Sequence, residues 1–402
     1  MTTKAKIPTI PITELEQSAF CQTDKKLTSK TLEEEFGSGV RWQKIPIKYL
    51  KMKPDELDTR IKDSKSVLGS RLVILGHHYQ RDEVIKYADY RGDSFKLSQF
   101  AASQSDSEFI VFCGVHFMAE TADILSSNHQ KVILPNLTAG CSMADMAHVD
   151  DVLDCWDDLL ELGLSSNGVV PITYMNSTAG IKALCGRNNG IVCTSTNAAG
   201  TFEWALNRSD KILFLPDQHL GRNTGLKLGI DVNDMIVWDP FKPLGGHSKE
   251  TIRNSKIILW KGHCSVHTRF TVDQIEQARI KYPDVHVVVH PECTKEVVES
   301  ADSNGSTEYI KRVVEESEPG TTWAIGTEIN LVNRLAAENK DKTVFCLDNV
   351  VCPCATMYRI HPAYLAWILE SLEKGEVVNQ IKVDGCTANE AKIALDRMLS
   401  IT

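Results

Sequence analysis

Cys264 combines a thiol with neighbouring imidazoles at the end of an apolar run. The run Ile257–Trp260 is typical of a buried strand, and Gly262 ends it. His263 and His267 flank the thiol. Because parallel α/β proteins place their chemistry at strand ends, this thiol is a candidate metal ligand or nucleophile. The alternative is a buried cysteine that only packs, which is the commoner role of a single cysteine.

Two further apolar runs lead to a cysteine in the same way. Val132–Leu134 precedes Cys141, and Val344–Leu347 precedes Cys354. The stretches that separate these thiols from Cys264 are domain-sized, which excludes a zinc knuckle or a ferredoxin-type run of ligands. If the carboxyl ends of the three strands converge, the three thiols meet at one central site. The spacing alone leaves this convergence open, because periodic α/β patterning is common.

The composition indicates a globular protein with an acidic balance. A chain of 402 residues is too long for one ordinary core and long enough for two or three domains. Hydrophobic residues make up 42% of the sequence and charged residues 24%, as in soluble globular proteins. The formal net charge is -9 and no sustained basic block occurs, so nothing indicates nucleic-acid binding. Local basic groups could still bind an acidic metabolite.

No segment indicates a membrane or a secretion signal. No apolar stretch is long enough to cross a membrane, and Met1–Pro11 lacks an apolar core of signal-peptide length. The sequence therefore predicts a cytoplasmic protein. Twelve cysteines are too sparse for a disulfide scaffold in a chain of this length, and in a reducing cytosol we expect mostly thiols. Packing, redox chemistry and metal binding remain as their uses.

Strand-like apolar runs alternate with helical patterns along most of the chain, which is typical of parallel α/β architecture. One pattern recurs three times: strand, helix, a turn with small hydroxyl residues, strand, helix, strand and cysteine. We therefore predict three similar parallel-sheet α/β domains with pseudo-threefold symmetry around a central site. The predicted segments are an N-terminal extension (1–45), three α/β domains (46–142, 143–263 and 264–355) and C-terminal helices that pack back on the core (356–402).

The ends of the chain stand outside this repeated pattern. Residues 1–45 are mixed and polar, with a short predicted helix at Leu32–Phe36, and we interpret them as a peripheral extension of unknown role. Ile45–Leu68 is amphipathic and is predicted as one helix leading into the first domain. Tyr364–Glu373 and Ala388–Leu399 are predicted as two C-terminal helices.

A set of short segments, in consistent order from about Leu72 to Leu399, closely resembles the quinolinate synthase family. The whole set is far more specific than any one motif, and the N-terminal part contributes nothing to it. The segments are Gly76–Gln80, Gly92–Ser94, Gly114–Ala122, Ala139–Asp145, Leu215–Asp217, Leu220–Arg222, Gly262–Cys264 with His267, His290–Cys293, Gly305–Thr307, Gly326–Glu328 and Cys354–Met357.

The resemblance implies a triangular three-domain α/β fold with a central [4Fe–4S] cluster held by one cysteine per domain. Carried over by position, the ligands are Cys141, Cys264 and Cys354. Cys354 is preferred to Cys352 because Met357, three residues on, matches the family pattern. Cys352 is then a spare thiol able to pair with a neighbour under oxidation, although a disulfide with Cys354 would be strained.

The resemblance also implies the reaction. Iminoaspartate condenses with dihydroxyacetone phosphate to give quinolinate, phosphate and water on the route to NAD. The open iron of the cluster acts as a Lewis acid. An L-aspartate oxidase or dehydrogenase is implied only as a pathway neighbour.

Acid–base groups and substrate contacts are carried over in the same way. His77 and Tyr79 fall where the family places a histidine and a tyrosine over the substrate. Glu292, with His290, is the best candidate for moving protons. His267 would bind a substrate phosphate or carboxylate, or relay a proton. The implied substrate-binding set is His77, Ser94, Tyr174, Asn176, Ser195, His267, His290, Glu292, Ser306 and Thr307.

Each of these roles has a plainer alternative. Ser94, Ser195, Ser306 and Thr307 stand at predicted helix starts, where hydroxyls and N–H groups bind anions but where serine more often only caps the helix. His290 and Glu292 could merely pair with each other. The remaining cysteines are expected to be packing or surface thiols. They are Cys21, Cys113, Cys155, Cys185, Cys193, Cys293, Cys346 and Cys386.

Other classes of protein compete with this interpretation. An aconitase-like hydro-lyase also uses an open iron as a Lewis acid, but it would not need four separate anion sites. An iron–sulfur sensor and a zinc-stabilised binding protein are the non-enzymatic alternatives. A radical enzyme that uses S-adenosylmethionine is disfavoured, because the three proposed ligands do not share one short loop.

Overall fold

The computed structural model describes residues 14–22, 27, 29–104, 106–164 and 168–401. Met1–Pro11, for which no signal peptide is expected, lies outside the described residues. The strands are β1 (Leu72–His77), β2 (Tyr90–Gly92), β3 (Phe109–Cys113), β4 (Lys131–Ile133), β5 (Val170–Tyr174), β6 (Ile191–Cys193), β7 (Ile212–Leu215), β8 (Met235–Trp238), β9 (Ile257–Trp260), β10 (His286–Val289), β11 (Ser303–Asn304), β12 (Thr322–Gly326), β13 (Thr343–Cys346) and β14 (Gln380–Ile381).

Helices connect most of these strands and cover the sheets. The helices are α1 (Glu14–Ser18), α2 (Leu32–Phe36), α3 (Ile47–Leu50), α4 (Pro54–Leu68), α5 (Asp82–Ile85), α6 (Ser94–Ser103), α7 (His116–Leu125), α8 (Ser142–Asp145), α9 (Val149–Glu161), α10 (Ala179–Arg187), α11 (Ala198–Leu206), α12 (Gln218–Lys227), α13 (Lys249–Asn254), α14 (Val272–Lys281), α15 (Lys295–Ser300), α16 (Thr307–Glu315), α17 (Ile329–Glu338), α18 (Pro362–Glu373) and α19 (Gly385–Leu399).

The strands form three sheets. Their orders are β14-β4-β3-β1-β2, β6-β5-β7-β9-β8 and β11-β10-β12-β13. Among the described strands all pairings are parallel except the antiparallel pair β4 and β14. The orders β2-β1-β3-β4, β6-β5-β7-β9 and β11-β10-β12-β13 repeat one arrangement. The predicted α/β class is confirmed, whereas the pseudo-threefold symmetry and the domain boundaries stay predictions.

The predicted strands lie where the apolar runs place them. β9 coincides with the predicted run Ile257–Trp260, and every one of its residues is buried. All residues of β1, β3, β5 and β7 are buried too. A parallel strand covered on both faces has no solvent-facing side, so its sequence is a continuous apolar run rather than an alternating one.

The prediction of one helix over Ile45–Leu68 is wrong, because α3 and α4 are separate helices. Pro54 is the first residue of α4. Lys53 before it is extended, with φ -73° and ψ 155°. A proline disfavours the helical conformation of the residue that precedes it, while its own fixed φ suits the first helical position.

The described part of the N-terminal segment is not peripheral. Leu32 in α2 is fully buried, and Cys21, expected to be a packing or surface thiol, forms a disulfide with Cys352. The other ten cysteines form no disulfide, which agrees with the expectation that the chain has no disulfide scaffold. At the other end of the chain, α18 packs against α4 and α19 against α10. Within the described residues, no helix is both long and apolar enough to span a bilayer.

Candidate active site

One pocket lies at the carboxyl ends of strands from all three sheets. His77 ends β1, Tyr174 ends β5, and His290 directly follows β10. All of the predicted site residues except Ser306 line this pocket. They are His77, Tyr79, Ser94, Cys141, Tyr174, Asn176, Ser195, Cys264, His267, His290, Glu292, Thr307 and Cys354. The structure therefore brings the predicted residues together, and their individual roles stay predictions.

The three cysteines of the strand ends share this pocket. Cys141, Cys264 and Cys354 are each half-buried. Burial raises the pKa of all three thiols, and the negative charge of Glu292 raises that of Cys264 further. Without a cation the thiols are therefore held neutral, and a bound metal would offset this cost by stabilising thiolates. Three sulfur donors facing one cavity are a set that fits an iron–sulfur centre.

A close backbone approach sets the position of Cys264. The N–H of Gln218 donates to the carbonyl of Gly262 at 2.9 Å, and a Cβ on Gly262 would collide with the carbonyl oxygen of Pro216. Thr268 donates to the Cys264 carbonyl through its N–H at 3.0 Å and its hydroxyl at 2.9 Å. Only glycine allows the chain leaving β9 to pass the end of β7 this closely.

Glu292 is a buried carboxylate held by two donors. The hydroxyl of Tyr174 donates to its Oε1 at 2.6 Å, and His267 Nδ1 donates to its Oε2 at 2.7 Å. Burial by itself would raise the pKa of Glu292, but His267 and the hydrogen bonds from His267 and Tyr174 lower it below its usual range. His290 Nδ1 lies 3.8 Å from the carboxylate. His290 and Glu292 thus lie close enough to pair, as the alternative expects, and Glu292 has Tyr174 and His267 as further partners.

Thr327 connects His267 to Tyr79 and was not predicted as a site residue. Its hydroxyl lies 2.8 Å from the Tyr79 hydroxyl and 3.1 Å from His267 Nε2. A hydrogen-bonded chain thus runs from Tyr79 through Thr327 and His267 to Glu292. Its position directly after β12 was the available sequence signal, because the other site residues also follow strands.

Two of the pocket histidines are neutral. Burial lowers the pKa of His77 to about 3, and His78 and His290 add to the effect. Burial likewise lowers the pKa of His290 to about 3. The rings of His290 and His267 stack with centroids 4.4 Å apart. His77 and His290 therefore offer one donor and one acceptor nitrogen each, rather than a positive charge.

Ser306 and Thr307 differ in what their hydroxyls do. Ser306 caps α16, and its hydroxyl accepts the N–H of Tyr309 at 3.3 Å. The alternative of a helix cap is thus confirmed for Ser306. Thr307 is the first residue of α16, and its buried hydroxyl has no hydrogen-bond partner in the protein. An unpartnered buried hydroxyl is costly, so it points to a ligand at this position.

The other two hydroxyls lie at different distances from a helix start. Ser94 is the first residue of α6 and follows the cap Asp93, as predicted. Ser195 stands two residues before Asn197, the cap of α11, so the prediction of a helix start at Ser195 is wrong by three residues. Both serines still line the pocket.

Asn176 in the pocket and Asp217 outside its lining each have a buried oxygen without a hydrogen-bond partner. Oδ1 of Asn176 is buried and makes no hydrogen bond. Asp217, just after β7, accepts the N–H of Leu220 at 2.7 Å through Oδ1, while its Oδ2 has no partner. Burial raises the pKa of Asp217 well above its ordinary value, and the charge of Glu292 adds to this. Asp217 belongs to the segment Leu215–Asp217 that resembles the family, but it was not predicted as a site residue.

The site also holds a second set of possible metal ligands. Donor atoms of Cys264, His267 and Glu292 all lie within 4.8 Å of one another. A thiol, an imidazole and a carboxylate are a set that a single zinc ion accepts. Cys264 belongs both to this set and to the set of three cysteines.

Comparison with known proteins decides the family. The family model for quinolinate synthetase A protein matches residues 59–400. The chain belongs to the quinolinate synthase family. Its quinolinate synthase relatives include that of Corynebacterium glutamicum, 56% identical over 361 residues that cover 90% of this chain and 91% of the relative. That of Acidobacterium capsulatum is 55% identical over 355 residues, covering 88% and 95%. That of Geobacillus kaustophilus is 54% identical over 362 residues, covering 90% and 98%. The family is one of enzymes, and the predicted resemblance to quinolinate synthases is confirmed.

Proposed function

We propose that the chain condenses iminoaspartate with dihydroxyacetone phosphate to give quinolinate, phosphate and water in de novo NAD biosynthesis. The observation that carries the proposal is that Cys141, Cys264 and Cys354 line one pocket together with Glu292. The relatives of the chain are quinolinate synthases, which supports the same reaction.

The three cysteines are the proposed ligands of a [4Fe–4S] cluster. Three thiolates leave one iron without a protein ligand, and that iron supplies Lewis-acid polarisation of a substrate hydroxyl, carbonyl or carboxylate when the cluster is bound. Support comes from the donor set, since three thiols from separate parts of the chain face one cavity.

Glu292 acts as the base of this proposal. Its lowered pKa keeps it ionised, and Tyr174 and His267 fix the direction of its carboxylate. Protons can move toward Glu292 along this chain: His267 gives its Nδ1 proton to Glu292 and takes up the Thr327 proton at Nε2, while Thr327 takes up the proton of the Tyr79 hydroxyl. Enolisation and ring closure both require such transfers.

Hydroxyls and helix starts bind the acidic groups of the substrates. Both substrates are anionic, one with carboxylates and one with a phosphate. Ser94 and Thr307 are the first residues of α6 and α16, where N–H groups point toward a ligand and the helix dipole favours negative charge. Ser195 and Asn176 line the same cavity, and Tyr174 and Asn176 contact the part derived from iminoaspartate.

The pair Ser306 and Thr307 offers a test of substrate binding. Ser306→Ala should lower the free energy of unfolding by about 1 kcal/mol, because a helix cap is lost, and should leave KM nearly unchanged. Thr307→Val should raise the KM roughly tenfold or more, because it removes a hydrogen bond to a charged substrate, and should not destabilise the fold. Thermal unfolding and initial-rate kinetics measure the two effects. The reverse pattern would contradict the assignment.

Metal and product analysis test the proposed function directly. The chain purified without oxygen should contain about four irons per chain and labile sulfide. Given dihydroxyacetone phosphate and an enzymatic source of iminoaspartate, it should form quinolinate. Zinc without sulfide would contradict the cluster and favour the Cys264–His267–Glu292 set. Iron and sulfide without quinolinate, but with dehydration of a hydroxy acid, would favour the aconitase-like alternative.

Two further predictions concern the source of iminoaspartate and the cellular location of the protein. An L-aspartate oxidase is the expected neighbour that supplies iminoaspartate. The cytoplasmic location expected from the sequence also stays a prediction.

A further inference from the structure

The N-terminal segment lies against the turn that carries Cys354. Gln22 pairs with Val351 as an antiparallel bridge, with N–H···O distances of 2.8 and 3.0 Å. The neighbouring Cys21 is joined to Cys352 by a disulfide. Residues 14–22 and 29–43, called the N-terminal clamp below, are thus attached two residues before the proposed ligand.

A buried ion-pair network attaches the clamp a second time. Glu16, 3% exposed, accepts from Arg41 at 2.6 Å and from Arg359 at 3.4 Å. Arg359, 2% exposed, also donates to the carbonyl of Thr138 at 3.2 Å. Thr138 lies three residues before Cys141. This network therefore joins the clamp to the chain near two of the three cysteines.

A third attachment passes through Arg81. Glu35 of α2 accepts from Arg81 at 2.6 and 3.0 Å, and both side chains are buried. The guanidinium of Arg81 lies 3.9 Å from the ring centroid of Tyr358. The N–H of Tyr358 donates to the carbonyl of Cys354 at 2.9 Å. Losing one member of such a buried pair leaves the other charge uncompensated.

The clamp lies outside the part of the chain that the family model matches, which begins at residue 59. We infer that the N-terminal clamp positions the Cys354 turn, and that its disulfide is the element that a thiol reductant opens. Without these attachments the turn after β13 would be an ordinary surface loop and would move more freely.

Opening the disulfide is a two-electron exchange with a dithiol reductant. A thiolate of the dithiol attacks one sulfur, the bond between Cys21 and Cys352 breaks, and a disulfide forms within the reductant. The two protons and two electrons of the dithiol end on Cys21 and Cys352. The clamp then remains attached through the bridge at Gln22 and the ion pairs of Glu16 and Glu35.

Peptide mapping tests the disulfide. Non-reducing digestion of the air-exposed full chain, with free thiols alkylated, should yield a peptide pair linked through Cys21 and Cys352. A dithiol should release two additional thiols. Cys21→Ser should abolish the linked pair, whereas Cys386→Ser, which changes an exposed free cysteine, should not. Absence of the linked pair in the unreduced parent chain would overturn this part of the inference.

Hydrogen exchange tests the positioning role, and it needs no bound iron. Cys21→Ser and Glu16→Gln should each speed amide exchange in residues 347–360 roughly tenfold, with exchange in the β7 and β9 strands unchanged. The iron-loaded variants should also lose iron to a chelator faster than the parent. The matched controls are Cys386→Ser and Glu33→Gln, the latter removing only an exposed ion pair with Lys51.

The outcomes separate this inference from the proposed function. If a double variant with Cys21→Ser and Glu16→Gln folds and its amide exchange in residues 347–360 is unchanged, the inference that the clamp positions this turn is overturned. If the double variant does not fold, Cys352→Ser with the same readout replaces it. If the parent chain binds no iron but the variants still show faster amide exchange in residues 347–360, the proposed cluster is contradicted and the positioning role of the clamp is supported.

Discussion

Cys264→Ala is expected to lose bound iron and sulfide while the chain stays folded. The thiol of Cys264 faces the pocket, so its removal opens little of the core, and we expect the free energy of unfolding to fall by only about 1 kcal/mol. Turnover should fall roughly a thousandfold or more, because several kcal/mol of Lewis-acid stabilisation are lost with the iron.

Iron and sulfide analysis, circular dichroism and quinolinate formation measure these effects. Cys386→Ala is the matched control, since Cys386 is exposed and does not line the pocket. A complete, active cluster in Cys264→Ala would show that Cys264 is not a ligand of the cluster. Cys141→Ala and Cys354→Ala distinguish the two ligand sets, because both should lose iron if the three cysteines bind a cluster. Neither should lose metal if Cys264, His267 and Glu292 bind a single ion.

Glu292→Gln should keep the cluster and lower kcat by roughly 10²–10⁴-fold. The amide has nearly the same shape but cannot take up a proton at neutral pH. One of the two donors, Tyr174 or His267, also loses an acceptor, so a modest fall in melting temperature is expected. If the variant retains its iron, the fall in kcat is due to loss of the base and not to loss of a metal ligand.

The control for this change is Glu299→Gln, which alters an exposed carboxylate paired with Lys295. Its kcat and melting temperature should match those of the parent chain. Near-normal turnover in Glu292→Gln would remove Glu292 from the acid–base role. Loss of iron in Glu292→Gln, with iron retained in Cys141→Ala, would favour the single-ion site.

The sequence predicted the strands well because their signal is local. A strand buried on both faces must be apolar throughout, and runs such as Ile257–Trp260 have no other stable place in a folded chain. The residues that follow such runs were predicted to gather at one edge, and they line one pocket. Pro54 shows the limit of the periodic signal, since it begins a new helix inside an amphipathic pattern.

The sequence by itself determined which residue types stand at the strand ends, because strand formation and chain direction are properties of short segments. Only the tertiary structure decided which of these side chains meet. Tyr174 and Glu292 are bonded at 2.6 Å across 118 positions of the chain, and Thr327 joins His267 across 60. Such distances depend on how whole sheets pack, and no local pattern encodes them. The same holds for the disulfide of Cys352: the sequence marked Cys352 as able to pair, but nothing indicated Cys21, 331 positions away, as its partner.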